Sequence, residues 1–311
     1  MNILSVVVPV FNEQESISKT IDRLLVLKKD LFNKETELEL IFVDDGSNDD
    51  SLNILKDKSQ SHPEIKIISF TRNFGHQIAI SAGIDFTSGD YVAIIDADLQ
   101  DPPEIIIEMY EKALQGYDIV NAKRRSRAGE TFFKKTTANL FYKFINYLSE
   151  TDIPLNVGDF KIISKKVVSS IHTMREKHRF LRGMIPWTGF KEISIEYDRK
   201  ERFAGKTKYP LKKMIQFAFI AVLSFSSKPL TIAIRLGIIV TILGFLGGIY
   251  VLYQKLFSGQ PVPGITSILL TIIIFSGLQI TLIGLAGEYI ARIFEEVKGR
   301  PLYIIEEKVN I

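Results

Sequence analysis

Asp96, Asp98 and Gln100 stand two residues apart just beyond the apolar run Tyr91–Ile95. Such a run reads as a buried strand, and extended backbone past its end would turn all three side chains to one side. Hard oxygen donors in that arrangement suit Mg2+ or Mn2+, which would bridge them to diphosphate oxygens. Asp98 is the main candidate ligand and Gln100 a supporting one; Asp96 either ligates directly or acts through water or ribose. The plainer reading is an acidic loop capping a helix at Pro102-Pro103, and the position after an apolar strand favours the metal. Asp44-Asp45-Gly46-Ser47 follows a second apolar run. One of these residues is expected to serve a turn or helix cap, but two adjacent carboxylates exceed what a cap needs. A carboxylate can accept the imide N–H of uracil or guanine, or a ribose hydroxyl. Pro9, Phe11 and Glu13 end the first apolar run with a flat wall and another acceptor. His62, His76, His172 and His178 show no ligand spacing and are read as structural.

The elements that must position these groups alternate. Strands are expected at Leu4–Val10, Leu38–Val43, Ile65–Phe70, Tyr91–Ile95 and Asp118–Ala122, with helices near Glu15–Leu27, Asp50–Ser59, Gln77–Phe86 and Pro103–Gln115. Strands apolar throughout and separated by helices imply a mostly parallel sheet covered on both faces. Ligands of such sheets bind at the carboxyl ends of the strands, where the polar clusters fall.

The 311 residues carry a net charge of only +3, which gives no reason to expect a nucleic-acid partner. There is no cysteine, so disulfides, thiolate metal sites and cysteine nucleophiles are excluded. The first residues lack the features of a secretory signal and read as a strand, so the first domain is expected to stay in the cytosol. Two stretches, Gly129–Leu148 and Tyr209–Phe225, mix aromatic residues with lysines and suit a membrane surface; for the first, a helix covering the sheet is an equal alternative. Gly264–Ala286 runs 23 residues without a charge, roughly 34 Å of helix and enough for a bilayer core. Leu236–Tyr253 is a second uncharged run. Basic residues flank the pair on its outer sides, so the positive-inside rule places both termini in the cytoplasm.

Val8-Pro9-Val10-Phe11-Asn12-Glu13, Val43-Asp44-Asp45-Gly46-Ser47 and Asp96-Ala97-Asp98-Leu99-Gln100-Asp101-Pro102-Pro103 resemble the signature blocks of GT-A family 2 glycosyltransferases. Arg202-Phe203-Ala204-Gly205-Lys206-Thr207-Lys208-Tyr209 and the tail Gly287-Glu288-Tyr289 through Gly299-Arg300-Pro301 are similar to the polyprenyl-phosphate sugar transferases of that family. This branch includes dolichol-phosphate mannose synthase and the bactoprenol glucosyl transferases. The resemblance implies a Rossmann-like GT-A domain over 1–208, a juxtamembrane amphipathic helix over 209–228, transmembrane helices over 229–254 and 264–287, and a cytoplasmic tail over 288–311.

It further implies a metal-dependent hexosyltransferase in the cell membrane, moving a sugar from a nucleotide diphosphate to a polyisoprenyl phosphate with inversion. UDP-glucose and undecaprenyl phosphate are the preferred pair, GDP-mannose the alternative donor. A processive polysaccharide synthase is disfavoured because Trp187 lies outside a Q-x-x-R-W motif, and a non-catalytic flippase subunit because the aspartates are intact. The resemblance assigns Pro9, Phe11, Glu13, Val43, Asp44, Asp45, Asp96, Ala97, Arg202 and Lys208 to the nucleotide sugar, and Asp159 to catalysis with Asp98 and Arg124. Arg124, Arg127 and Lys135 are assigned to the acceptor phosphate, since arginine's planar fork matches phosphate oxygens; a solvated basic loop is the alternative. The lysines near Arg202 could equally attract anionic lipid. Besides donor, acceptor and bilayer, the candidate partners are a second copy of the chain, a separate flippase and a downstream transferase.

Overall fold

The computed structural model describes residues 2–125, 157–198, 228–257 and 264–311. Of these, the residues up to Asp198 and those from Arg300 onward form one compact unit, and those from Lys228 to Gly299 form another.

The first unit is built on eight strands: β1 (Asn2–Val10), β2 (Thr36–Asp44), β3 (Ile65–Phe70), β4 (Tyr91–Ile94), β5 (Ile119–Arg124), β6 (Val157–Ser164), β7 (Glu192–Tyr197) and β8 (Ile305–Val309). Its helices are α1 (Ile17–Phe32), α2 (Ser51–Ser61), α3 (His76–Asp85), α4 (Ile105–Leu114), α5 (Lys165–Thr173) and α6 (Leu181–Trp187). The sheet order is β7-β5-β6-β4-β1-β2-β3-β8. Strands β4, β1, β2 and β3 run parallel, β6 is antiparallel to both its neighbours, and β8 is antiparallel to β3. The five strands read from the sequence match β1 to β5 within two residues at each end.

Alternation along β1 explains the two covered faces. Leu4, Val6, Val8 and Val10 join Ile17, Ile21 and Leu24 of α1, Leu55 of α2 and Ile106, Met109 and Tyr110 of α4 in one continuous core. On the other face α3 lies so close to β1 that a Cβ at Gly83 would stand 2.2 Å from Val7 Cγ1. Only glycine fits there.

The tail expected over 288–311 takes a different form. The second long helix runs on to Val297, Gly299 turns the chain with φ +60°, and Ile305–Val309 joins the sheet as β8. The physical reason is the bare edge of β3, whose unpaired backbone groups need a partner or cover. Ile305 and Val309 are half-buried while the three residues between them are exposed and charged, as suits an edge strand.

The second unit holds α7 (Lys228–Phe257) and α8 (Ile265–Val297). Within them Leu230–Tyr250 and Thr271–Val297 are long and apolar enough to cross a membrane, with mean hydropathies of 2.2 and 1.6 and no buried share. A core helix of a soluble protein would bury this surface. The Thr241 and Thr281 hydroxyls donate to backbone carbonyls one turn back, at 2.8 and 2.9 Å, and so need no water. The expected interfacial stretches, 129–148 and 209–225, lie outside the described residues.

Candidate active site

The chain leaves β1 for β2 and β3 on one side, then returns to place β4 on the other, so a crevice opens at the carboxyl ends of β1 and β4. The β1–β4 ladder makes its last pair at Val7 with Ile94, and Ile95 N still donates to Val7 O at 3.1 Å; Pro9, with no N–H to give, ends the ladder there and frees the β4 strand end for the site. Past β1 and β2 the two loops are stitched together. Asn12, at φ +54°, donates its backbone N–H to Ser47 Oγ at 3.0 Å and accepts from Asn48 N at 2.8 Å. A third loop closes on them: a Cβ at Gly46 (φ +68°) would meet Arg72 C at 2.6 Å.

These loops frame a cleft of about 350 Å3 whose lining includes Phe11, Asp44, Ser47, Ser69, Arg72 and Glu306. Asp44 Oδ2 accepts from Ser47 N and Ser69 Oγ, each at 3.3 Å. Its Oδ1 is buried with no hydrogen-bond partner among the described residues. A buried acceptor of this kind in a cleft wall is matched to a ligand N–H. Pro9 and Val43 pair in register and are buried in the sheet. Asp45 is placed differently from the sequence expectation: its oxygens accept from Phe74 N at 2.7 Å and Gly75 N at 3.0 Å, and it holds the loop entering α3. Glu13 Oε2 accepts from Ser16 Oγ at 2.8 Å at the start of α1.

The acidic block after β4 is a turn. Leu99 adopts φ +60°, Asp98 Oδ1 accepts from Gln100 N at 3.1 Å, and Thr20 Oγ1 of α1 donates to Ala97 O at 2.9 Å. The extended alternation expected for Asp96, Asp98 and Gln100 is thus broken at Leu99. A left-handed leucine is uncommon and costs free energy, as backbone at functional sites often does. Gln100 and Asp101 are buried, and Asp96 Oδ1 is buried without a hydrogen bond among the described residues. No group of three His, Cys, Asp or Glu side chains able to hold a metal ion occurs among the described residues. Mg2+ commonly takes one or two carboxylates plus substrate phosphates, and the Asp96–Asp98 pair fits that mode.

Asp159, on β6, is 5% exposed. Arg182 of α6 donates Nε to its Oδ1 at 2.9 Å and Nη2 to its Oδ2 at 2.7 Å. His76, the first residue of α3, places Nε2 3.3 Å from Asp159 Oδ2 and 3.4 Å from Asp96 Oδ1. Burial alone would raise the pKa of Asp159, but Arg182 and His76 outweigh it and hold the carboxyl well below its usual range. Burial would likewise lower His76, and the two aspartates instead raise it to about 9. The structure therefore brings His76 and Arg182 into the site, and the structural reading of His76 is corrected: it is a cation between two carboxylates.

Arg124, at the end of β5, is held from behind. Its Nε donates to Tyr197 Oη at 3.2 Å, Tyr197 Oη donates to buried Asp101 Oδ1, and Arg124 Nη2 stands 3.6 Å from Asp101 Oδ2. Arg124 thereby ties β5 and β7 to the acidic turn. Arg127, Lys135, Arg202 and Lys208 lie outside the described residues.

A parallel-centred α/β sheet, a cleft beyond its strand ends and an acidic turn at the switch point together define a GT-A type fold. The family model described as "Glycosyl transferase family 2" matches residues 5–171, and the chain belongs to that family. It is 47% identical over 307 residues to the Bacillus subtilis (strain 168) "Uncharacterized glycosyltransferase YkcC", covering 99% of this chain and 94% of that protein. It is 41% identical over 307 residues to the "Bactoprenol glucosyl transferase" of Shigella phage SfII, covering 98% and 97%. Among solved structures, the glucosyl-3-phosphoglycerate synthase of Mycobacterium tuberculosis in complex with uridine diphosphate shares the fold. Its TM-score is 0.50 at 19% identity, over 72% of this chain and 79% of that one.

Proposed function

We propose that this chain is an inverting, metal-dependent hexosyltransferase that moves glucose from UDP-glucose to a polyisoprenyl phosphate, of the undecaprenyl kind, at the cytoplasmic membrane face. The product is a lipid-linked sugar for envelope glycosylation, to be consumed after a separate flippase by a downstream transferase. The observation that carries this reading is the likeness to bactoprenol glucosyl transferases, which spans 98% of the chain, its two apolar helices included. The basic flanks of those helices support cytoplasmic termini.

In this reading the cleft takes the nucleoside, with Phe11 as a flat wall and Asp44 Oδ1 accepting the base N–H. Mg2+ or Mn2+, held by Asp98 with Asp96 and Gln100, would supply positive charge to the donor diphosphate. Arg202 and Lys208 would add to it from the juxtamembrane loop. Arg124 receives the acceptor phosphate with Arg127 and Lys135. A phosphate monoester is largely ionised near neutral pH, so its oxygen can attack the anomeric carbon without prior deprotonation, as the bond from that carbon to the diphosphate oxygen breaks and UDP leaves. Asp159, kept ionised by Arg182 and His76, then orients the acceptor and its cationic partners rather than removing a proton.

The test is transfer of radiolabelled sugar from UDP-glucose to undecaprenyl phosphate in detergent, with and without EDTA. Chloroform-extractable label that disappears with EDTA is expected. GDP-mannose and other donors run in parallel; absence of product with every donor would overturn the reading.

A further inference from the structure

The last strand of the catalytic sheet comes from beyond both apolar helices and from outside the stretch matched by the family model, 5–171. It is firmly seated. Thr71 N donates to Ile304 O at 3.2 Å. The Tyr303 ring stacks on Phe70 at 5.2 Å, and its hydroxyl donates to Asp85 Oδ2 at 2.8 Å. Lys56 pairs with Glu307 at 2.5 Å, and Asn310 Nδ2 donates to Ile65 O at 2.9 Å.

Its ladder with β3 slips at one point. Ser69 pairs with Glu307 and Phe70 with Ile305, so Glu306 is left over as a bulge. A bulge breaks the side-chain alternation and re-aims the extra residue. Glu306 lines the cleft beside Asp44, Ser69 and Arg72. Charged residues on an edge strand often serve only to prevent association, and its neighbours have such outward lives: Glu307 reaches Lys56, and Lys308 sits over the Phe86 ring at 4.3 Å. Glu306 alone of the three lines the cleft.

Sheet geometry says which part of a ligand it meets. The acidic turn follows β4, and β1, β2 and β3 lie between β4 and β8. At about 4.8 Å per strand, β4 and β8 are roughly 19 Å apart. A nucleotide whose diphosphate lies at the acidic turn therefore points its base toward the β3–β8 edge. A carboxylate accepts hydrogen bonds and donates none. With Asp44 it makes that end of the cleft an acceptor edge, which favours a base with an imide N–H. It disfavours one carrying a ring-nitrogen lone pair at the same position, as cytosine does.

We infer that Glu306 is a base-selecting residue of the donor site, so that the segment after the membrane-type helices completes nucleotide recognition. This rests on the proposed nucleotide-sugar function. The test is calorimetric binding of UDP and CDP with Mn2+ to the full-length protein in detergent. Glu306→Ala and Glu306→Gln are compared with Glu307→Ala as a strand control. Loss of a hydrogen bond to a charged acceptor predicts about tenfold weaker UDP binding in both Glu306 variants, with a narrowed UDP-to-CDP ratio and unchanged melting temperature. Glu307→Ala should keep the wild-type ratio. If wild-type protein binds UDP and the Glu306 variants match it in affinity and ratio, the inference fails while the donor-site reading stands. An equal loss in Glu307→Ala would also overturn it, by tracing the effect to strand docking. If wild-type protein binds no nucleoside diphosphate, both readings fall together.

Discussion

Arg182 grips Asp159 at two points, Nε on one oxygen at 2.9 Å and Nη2 on the other at 2.7 Å. The pair is lopsided, since the aspartate side chain is 4% exposed and the arginine 35%. The buried carboxylate is therefore neutralised by a cation that still touches solvent, with His76 on the same side as the acidic turn. An aspartate so held is a fixed negative charge rather than a titrating base.

Replacing either member of this pair should separate chemistry from binding. Asp159→Asn keeps the shape but takes the counter-charge from Arg182 and leaves His76 with Asp96 alone, and kcat should fall on the order of a hundredfold or more. UDP affinity should stay within about threefold. Arg182→Lys keeps a charge but cannot make the planar two-point contact, so turnover should fall about tenfold or more. Steady-state kinetics with lipid phosphate as varied substrate, alongside UDP titrations, check both. Unchanged kcat in Asp159→Asn would remove Asp159 from the mechanism.

The acidic turn should govern metal dependence. Asp98→Asn should weaken Mn2+-dependent UDP-glucose binding by at least about 10–100-fold, the cost typical of disturbing even an outer partner of a metal ligand. EDTA should abolish transfer by the wild type, and added Mg2+ or Mn2+ should restore it. Calorimetry with and without Mn2+ reads the first effect. Equal Mn2+ enhancement in wild type and variant would show that the ligands lie elsewhere.

Arg124 is tied to the turn through Tyr197 and Asp101, and this tempers what its removal can show. Arg124→Ala should raise KM for the lipid phosphate about tenfold or more by loss of a charge-assisted contact. Tyr197→Phe keeps the arginine and its direct ion pair with Asp101 but removes the hydroxyl that links the two, so KM should rise only about two- to fivefold. UDP binding should survive both within about threefold. A loss of UDP affinity matching the loss of acceptor use would assign Arg124 to the donor instead.

The parts of this site legible in the sequence are local ones. Strands buried on both faces announce themselves as apolar runs, and the carboxylates at their ends need only be counted from them. The converging cations are not local. His76 and Arg182 meet Asp159 because β6 inserts antiparallel between β4 and β5, a pairing that no spacing encodes. Strand β7 was hard to see because only Ile195 and Tyr197 of its six residues are buried. Strand β8 was hidden because it follows a membrane-type helix and reads as a tail. The Asp96–Gln100 turn is silent in the sequence for a different reason: a leucine at φ +60° carries no sequence signal, whereas a glycine there would.

Far from the cleft, near the start of β2, Glu39 is a separate test of what holds the sheet together. The residue is 5% exposed. It accepts from Lys66 Nζ at 2.7 Å, Ser88 Oγ at 2.7 Å, Ser88 N at 3.0 Å and the Ser5 hydroxyl. It thus fastens the α3–β4 connection to β1, β2 and β3. Burial by itself would raise its pKa, but these bonds outweigh burial and leave it below the ordinary 4.5. A carboxyl lowered on folding contributes stability that is fully present above its unfolded pKa and is lost as pH falls through its folded pKa. Glu39→Gln should therefore lower the melting temperature near pH 7 by about 3–6 °C, with UDP binding intact at temperatures well below the transition. The gap between wild type and variant should hold from neutral pH down to about 4.5 and then close in more acidic buffer. Melting curves of both proteins across that range decide it. A gap that stays constant into the acid range would mean that the carboxylate's charge is not what stabilises this junction.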